Sequence, residues 1–160
     1  MLDVACGSGR HLRLGLEHGL AVLGIDRDLS RVEDLAGRAN VELIEADLEA
    51  GGPLPFAGRT FGLVVVTNYL WRPILPDVVS AVAADGLLVY ETFARGHERH
   101  GRPANPDFLL KPGELLDVVA GRLTPLVYEH VRLDDPARIV QRICAAGPGH
   151  PWCRDGAPAA

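Results

Sequence analysis

Leu2-Asp3-Val4-Ala5-Cys6-Gly7-Ser8-Gly9-Arg10-His11 decides the fold. A short apolar run ends in a turn of small residues, and an amphipathic segment begins at once. That is the pattern of a strand, a tight loop and a helix. Gly7 and Gly9 lack a Cβ, so the loop can take positive φ and come close to a ligand. The following helix would aim its unpaired N–H groups and positive dipole end into the same space. Open α/β sheets bind nucleotide-like molecules at turns of this kind.

Outward from this turn the chain alternates. The spacing predicts a first helix from Arg10 to His18, with Leu12 and Leu16 on one face and Gly19 beyond its end. Leu20 to Ile25 is a near-continuous apolar run, as suits a strand buried on both faces of a parallel sheet, and it ends in Asp26. Leu29, Val32, Leu35 and Ala36 predict a second helix stopping at Gly37. Val41 to Glu45 reads as the third strand, running into Ala46-Asp47-Leu48. The turn formers of 51–58 make a loop. Phe61 to Val66 is the fourth strand, followed by Thr67-Asn68-Tyr69-Leu70-Trp71. A helix from Pro73 carries Ile74, Leu75, Val78, Val79 and Val82 and ends at Asp85-Gly86, before a fifth strand over Leu87 to Thr92. Phe93 to Leu110 is irregular, and Pro112 to Ala120 is a short helix. Two β-rich runs, Leu123 to Val131 and Arg138 to Ala145, are joined by Asp134-Asp135-Pro136 and bring the strand count to seven. Such alternation implies an α/β sheet, mostly parallel, with right-handed crossovers.

Composition bounds the rest. At 160 residues the chain makes one domain, with 48% apolar residues and a net charge of −5. No Lys/Arg-rich block marks a general nucleic-acid footprint, so long nucleic acid is not expected as a partner. No stretch approaches the length of a membrane span, and no membrane association is expected. Cys6, Cys144 and Cys153 make no disulfide framework, which points to the cytoplasm. Cys144, His150 and Cys153 fit no closed zinc pattern, so no metal is expected.

Two cofactor classes use a glycine turn after the first strand. A dinucleotide site needs G-x-G-x-x-G, and the third position here is Leu12. Asp3-x-Ala5-x-Gly7-x-Gly9 instead resembles the D-x-G-x-G-x-G first motif of class I S-adenosylmethionine-dependent methyltransferases, with Ala5 in place of the first glycine. The resemblance spans Leu2 to about Ala146. It implies a Rossmann-like fold with helices on both faces, strand order 3-2-1-4-5-7-6 and the last strand antiparallel. It places residues 1–146 in the cofactor-binding domain and leaves 147–160, rich in Gly, Pro and Ala, as a flexible tail. The family usually carries one or two helices before its first strand, so the true start is expected upstream of Met1.

Asp26 lies 19 residues after Gly7 at the end of the second strand. A carboxylate there can accept both hydroxyls of a ribose. Asp28 and the Ser30-x-x-Glu33 box offer caps for the next helix, which leaves Asp26 free. Arg27 lies along the adenine face or in solvent. The resemblance implies that Ala5 and Gly7 pass beside the methionine half of the cofactor. Asp3 then anchors the loop or meets the methionine ammonium through water. It further implies that Asp47 accepts from the adenine amino group and that the Leu48 N–H meets a ring nitrogen, against the alternative of an ordinary turn Asp. Asn68 falls in the family's fourth motif and can bond cofactor or substrate, but both prolines of the N-P-P-Y form are missing, which disfavours base amines as acceptors. Tyr69 and Trp71 can offer aromatic faces to a cation, or are core.

The 93–110 segment leaves the cofactor side of the sheet and concentrates arginines and histidines in an acidic chain. A loop this long suits a substrate lid. Arg99 and Arg102 are the expected clamps for an anionic group, and His97 or His100 can serve as a general base near neutral pH. The alternative is a solvated basic loop. With S-adenosylmethionine as cofactor, the chain reads as a methyltransferase acting on a small-molecule acceptor by in-line displacement. Two other readings stand: a non-catalytic or truncated S-adenosylmethionine-binding protein, and an NAD-linked oxidoreductase, against which Leu12 speaks.

Overall fold

A computed structural model describes residues 1–155. Seven strands form one sheet in the order β3-β2-β1-β4-β5-β7-β6. They are β1 (Leu2–Val4), β2 (Val22–Asp26), β3 (Val41–Glu45), β4 (Phe61–Thr67), β5 (Val82–Phe93), β6 (Thr124–Asp134) and β7 (Ala137–Ala146). The first five are parallel, while β7 runs antiparallel to both β5 and β6. This is the order and strand sense that the family resemblance implied.

Strand alternation sorts the core into two layers. Leu2, Val4, Leu23 and Ile25 face one side and join Val78, Val79, Leu115 and Val119 of helices α2 (Leu75–Ser80) and α3 (Glu114–Val119). Cys6 and Val22 face the other side and pack with Leu12 of α1 (Arg10–Glu17) and with Val32 and Leu35. Helices therefore cover both faces. The sheet brings the carboxyl ends of β1, β2, β3 and β4 to one rim, where the site residues cluster.

Three expected elements differ. The helix expected over Leu29 to Ala36 is a single 3₁₀ turn, Glu33–Leu35. Val32 and Leu35, three apart, bury as well on a 3₁₀ turn as on an α-helix, and the Asp28 carboxylate ties up the Ser30 N–H at 2.9 Å instead of capping a longer helix. The helix after Pro73 stops at Ser80, and β5 starts at Val82 rather than Leu87. That early start is fixed from outside: the Gly147 N–H donates to the Gly86 carbonyl at 2.8 Å and the Gly149 N–H to the Ala84 carbonyl at 2.7 Å. A Cβ on Gly147 would lie 2.4 Å from the Ala83 and Ala84 carbonyl oxygens, so glycine is required for this approach. Residues after Gly149 form a helix, α4 (Pro151–Asp155), and 156–160, the rest of the expected flexible tail, lie outside the described residues. Among the described residues no helix is long and apolar enough to cross a membrane.

Candidate functional site

The glycine loop is folded as its residue types dictate. Ala5, Gly7 and Gly9 all take positive φ, at 56°, 55° and 70°. The loop is pinned by the Cys6 N–H to the Ile25 carbonyl at 3.0 Å, the Gly7 N–H to Asp26 Oδ2 at 2.8 Å and the Gly9 N–H to the Cys6 carbonyl at 2.9 Å. Ala5 holds a conformation that glycine takes without cost, which is physical support for reading it as a substituted motif glycine. The two glycines divide the labour. A Cβ on Gly7 would meet open space, whereas one on Gly9 would strike Val32 Cγ1 at 2.5 Å. Gly9 thus serves close packing of the start of α1 against Val32. Leu12, which fills the third-glycine position, packs its Cδ1 where a Gly24 Cβ would stand, 2.6 Å away, so here the strand supplies the glycine that lets helix and sheet close.

Asp3 is 1% exposed and its Oδ2 has no hydrogen-bond partner. His11 Nδ1 lies 3.8 Å away, too far to bond, and the imidazole pKa is itself lowered by burial and then by Arg10. Burial pushes the Asp3 carboxyl up to about 7, with Arg10 opposing and Asp26 adding to the rise. A buried acid lacking a donor is suited to a cation brought by a ligand.

Beyond the loop lies a cavity of about 300 Å³. Ala5, Asp26 and Arg27 form its first wall, Asp47, Leu48 and Glu49 its second, and Asn68 and Tyr69 its third. Asp26 is not the free carboxylate expected from the capping pattern. Oδ2 accepts from Gly7 and Oδ1 from the Asp28 N–H at 3.2 Å, so the carboxylate braces the loop while lining the cavity. Each oxygen retains a lone pair for a further donor. Asp47 makes a turn bond from the Glu49 N–H at 2.9 Å and lines the cavity as well, so the turn does not remove it from the site. The Tyr69 hydroxyl is buried without a partner, and its pKa is raised by burial first and then by Glu49, Asp47 and Asp26. Asn68 takes φ 55° with its N–H bonded to the Glu91 carbonyl at 2.9 Å.

A second cavity, of about 410 Å³, adjoins the first through Asn68. Its lining includes Arg10 of α1, Glu91 and Phe93 of β5, His97, His100 and Arg102 of the irregular segment, and Arg138 of the β6–β7 hairpin. The irregular 93–110 segment is anchored at several points. Ala94 bridges to Leu110, and Arg72 bonds Glu114 through two nitrogens at 2.6 and 3.0 Å, together with the Asp107 and Leu109 carbonyls. His97 is 4% exposed and stacks on Phe93 at 4.3 Å. Its Nδ1 accepts from the Ile139 N–H at 3.4 Å and its Nε2 lies 3.0 Å from the Arg102 carbonyl. Both ring nitrogens are committed to backbone, which suits a loop anchor rather than a base. His100 and Arg102 reach the cavity; Arg99 is exposed and outside it, and Trp71 packs against the main core. Sequence reading missed Glu49, Arg10, Arg72 and Arg138. Arg10 directly follows the glycine turn and was open to inference, but nothing local marks Arg138, which the sheet register alone delivers.

A family model described as a methyltransferase domain matches residues 1–84, more than half of the chain. No curated protein sequence matches. Among solved structures, a S-adenosylmethionine dependent methyltransferase from Mesorhizobium loti is 17% identical, with TM-score 0.69 over 91% of this chain and 89% of that one. A S-adenosylmethionine-dependent methyltransferase from Methanosarcina mazei is also 17% identical, with TM-score 0.67 over 91% of each chain. The [4+2]-cyclase SpnF is 16% identical, with TM-score 0.67 over 92% of this chain and 73% of that one. At these identities the likeness is one of fold, and with the family match, the glycine loop and the strand order it gives one conclusion: the chain belongs to the Rossmann-like, S-adenosylmethionine-dependent methyltransferase-domain family.

Proposed function

We propose that this chain is an active methyltransferase that moves the methyl group of S-adenosylmethionine to a small-molecule acceptor in the cytoplasm, using residues 1–146 as its catalytic domain. The observation that carries the reading is the pair of adjoining cavities sharing Asn68, one beside the glycine loop and one beneath the 93–110 segment. The first fits the cofactor by chemistry. Asp26 answers ribose hydroxyls and Asp47 with the Leu48 N–H answers an adenine edge, while the buried Asp3 carboxyl lies behind the glycine loop, outside the cavity wall, and acts on the ligand's ammonium only through the loop or a water. Arg27 lies over the adenine side, and Ala5 and Gly7 give backbone access to the methionine half.

Held beside Ala5, Asp26 and Asp47, S-adenosylmethionine would supply a methyl carbon on a positively charged sulfur, a leaving group able to take the C–S electron pair when an acceptor's lone pair displaces it. The chain's own contribution is positioning. Asn68 stands between donor and acceptor spaces, Tyr69 offers its ring and unpartnered hydroxyl, and Arg102 orients the acceptor. An acceptor that carries a proton on its nucleophile loses it to His100 or to solvent. A second reading, a family member that binds cofactor and does other chemistry or none, is kept in view by SpnF, a cyclase by name with a closely similar fold.

Incubation with methyl-labelled S-adenosylmethionine and a panel of small acceptors tests this. Label should pass to an acceptor, with S-adenosylhomocysteine formed in equal amount, and Asn68→Ala should lower the rate by at least about tenfold. Tight cofactor binding without transfer to any acceptor would favour the second reading.

A further inference from the structure

We infer that the 410 Å³ cavity is built for an anionic acceptor, one whose carboxylate or phosphate end is held by Arg10, Arg102 and Arg138 while its nucleophilic end reaches Asn68. The inference rests on the methyltransferase reading for the word acceptor, but not for the binding chemistry. The three arginines come from separate places in the sequence: the first residue of α1, the 93–110 segment and the start of β7. Only the fold brings them to one space.

Arg10 and Arg102 are exposed and Arg138 is half-buried, and two observations set their shared cavity apart from a scattered basic surface. First, among the described residues none of the three guanidinium groups has a carboxylate within 4.0 Å. Arg13, Arg59, Arg72, Arg132 and Arg142 each pair with Asp or Glu, and what separates these three from the other unpaired arginines is that they line one cavity together. Second, the one acidic residue on the cavity wall, Glu91, is already engaged, its Oε2 lying 3.2 Å from Arg142 Nε. The cavity thus holds three cations against one neutralised carboxylate in a chain of net charge −5. An anion placed there would convert unpaired charges into charge-assisted hydrogen bonds, and guanidinium forks match carboxylate and phosphate geometry alike. The Phe93 ring, stacked on His97, forms an apolar wall, so a flat organic anion fits better than a bare inorganic one.

The experiment is calorimetric titration of the full chain with benzoate, phenyl phosphate and neutral benzamide at constant ionic strength, with and without S-adenosylhomocysteine. The wild type, Arg102→Ala, Arg138→Ala and, on the exposed loop, Arg102→Gln are compared. At least one anion should bind the wild type about tenfold or more tightly than benzamide, and each arginine variant should lose about tenfold in anion affinity. The tighter of the two anions names the headgroup. S-adenosylhomocysteine affinity and thermal unfolding should be unchanged in the variants. Equal binding of benzamide, anion affinity unchanged in the variants, or no anion binding by the wild type would overturn the inference. Failure of S-adenosylhomocysteine to bind the wild type would instead count against the methyltransferase reading, and the anion results would still judge the cavity.

Discussion

Replacing Asp3 by Asn should make the stability of the ligand-free protein less dependent on pH, with the difference widening as the solution becomes more basic. The side chain is 1% exposed, its Oδ2 is unpartnered, and burial pushes its pKa up to about 7 from the ordinary 3.8. The sign follows from proton counts. Between pH 4 and 7 the folded protein keeps the proton that the unfolded chain has released, so the folded state binds more protons and stability falls as pH rises. The loss is complete above about pH 7. At 1.36 kcal/mol per pH unit the interval from 3.8 to about 7 sets an upper limit of about 4 kcal/mol, of which about 2–3 kcal/mol falls between pH 5 and pH 8. Asn has nearly the same shape and cannot ionise. It adds a buried N–H pair that costs roughly 1–3 kcal/mol at every pH if left unbonded, so the slope is the informative quantity and not the absolute stability. Urea unfolding followed by circular dichroism at pH 5, 6, 7 and 8 measures it. The wild type should lose about 2–3 kcal/mol relative to Asp3→Asn across that range. Parallel curves would refute the claim that an uncompensated carboxyl sits under the glycine loop.

Three further expectations concern the frame of the site. Ala5 has φ 56°, so Ala5→Gly should be neutral or stabilising by up to about 1 kcal/mol, whereas the β-branched Ala5→Val should cost about 2 kcal/mol, read from urea midpoints. Arg72→Ala removes the fork that ties Glu114 to the Asp107 and Leu109 carbonyls. It should cost about 2 kcal/mol and speed amide exchange around 105–110, and Arg72→Lys should rescue little of this. Gly147→Ala should lower the melting temperature by several degrees, because its Cβ would meet two carbonyl oxygens at 2.4 Å.

The central sheet was legible because its signals are local. A strand that ends in a glycine turn, apolar runs without alternation, and acids or an amide at strand ends reveal both order and rim. Asp26, Asp47 and Asn68 do meet around one cavity. What was hidden depends on neighbours distant in sequence. The apolar spacing of Val32 and Leu35 serves a 3₁₀ turn as well as an α-helix, and the choice is made by the Asp28–Ser30 bond. The extension of β5 over Ala83 to Gly86 has little strand propensity of its own and is held by Gly147 and Gly149. In the 93–110 segment charge pattern could not distinguish Arg102, which reaches the cavity, from Arg99, which does not. Nor could it show that His97 is consumed by two backbone bonds.

The claim that the cavity beside the glycine loop binds S-adenosylmethionine is tested most directly by calorimetric titration of the wild type and Asp26→Asn with S-adenosylmethionine and S-adenosylhomocysteine. Asn keeps an oxygen for the Gly7 N–H, so the loop can stay folded while the charge beside the expected ribose and the long 3.2 Å bond from the exposed Asp28 N–H are lost. The wild type should bind saturably, with binding weakened about tenfold or more in a variant whose circular dichroism spectrum is unchanged. Wild-type binding untouched by Asp26→Asn, or no binding by the folded wild type, would contradict the claim.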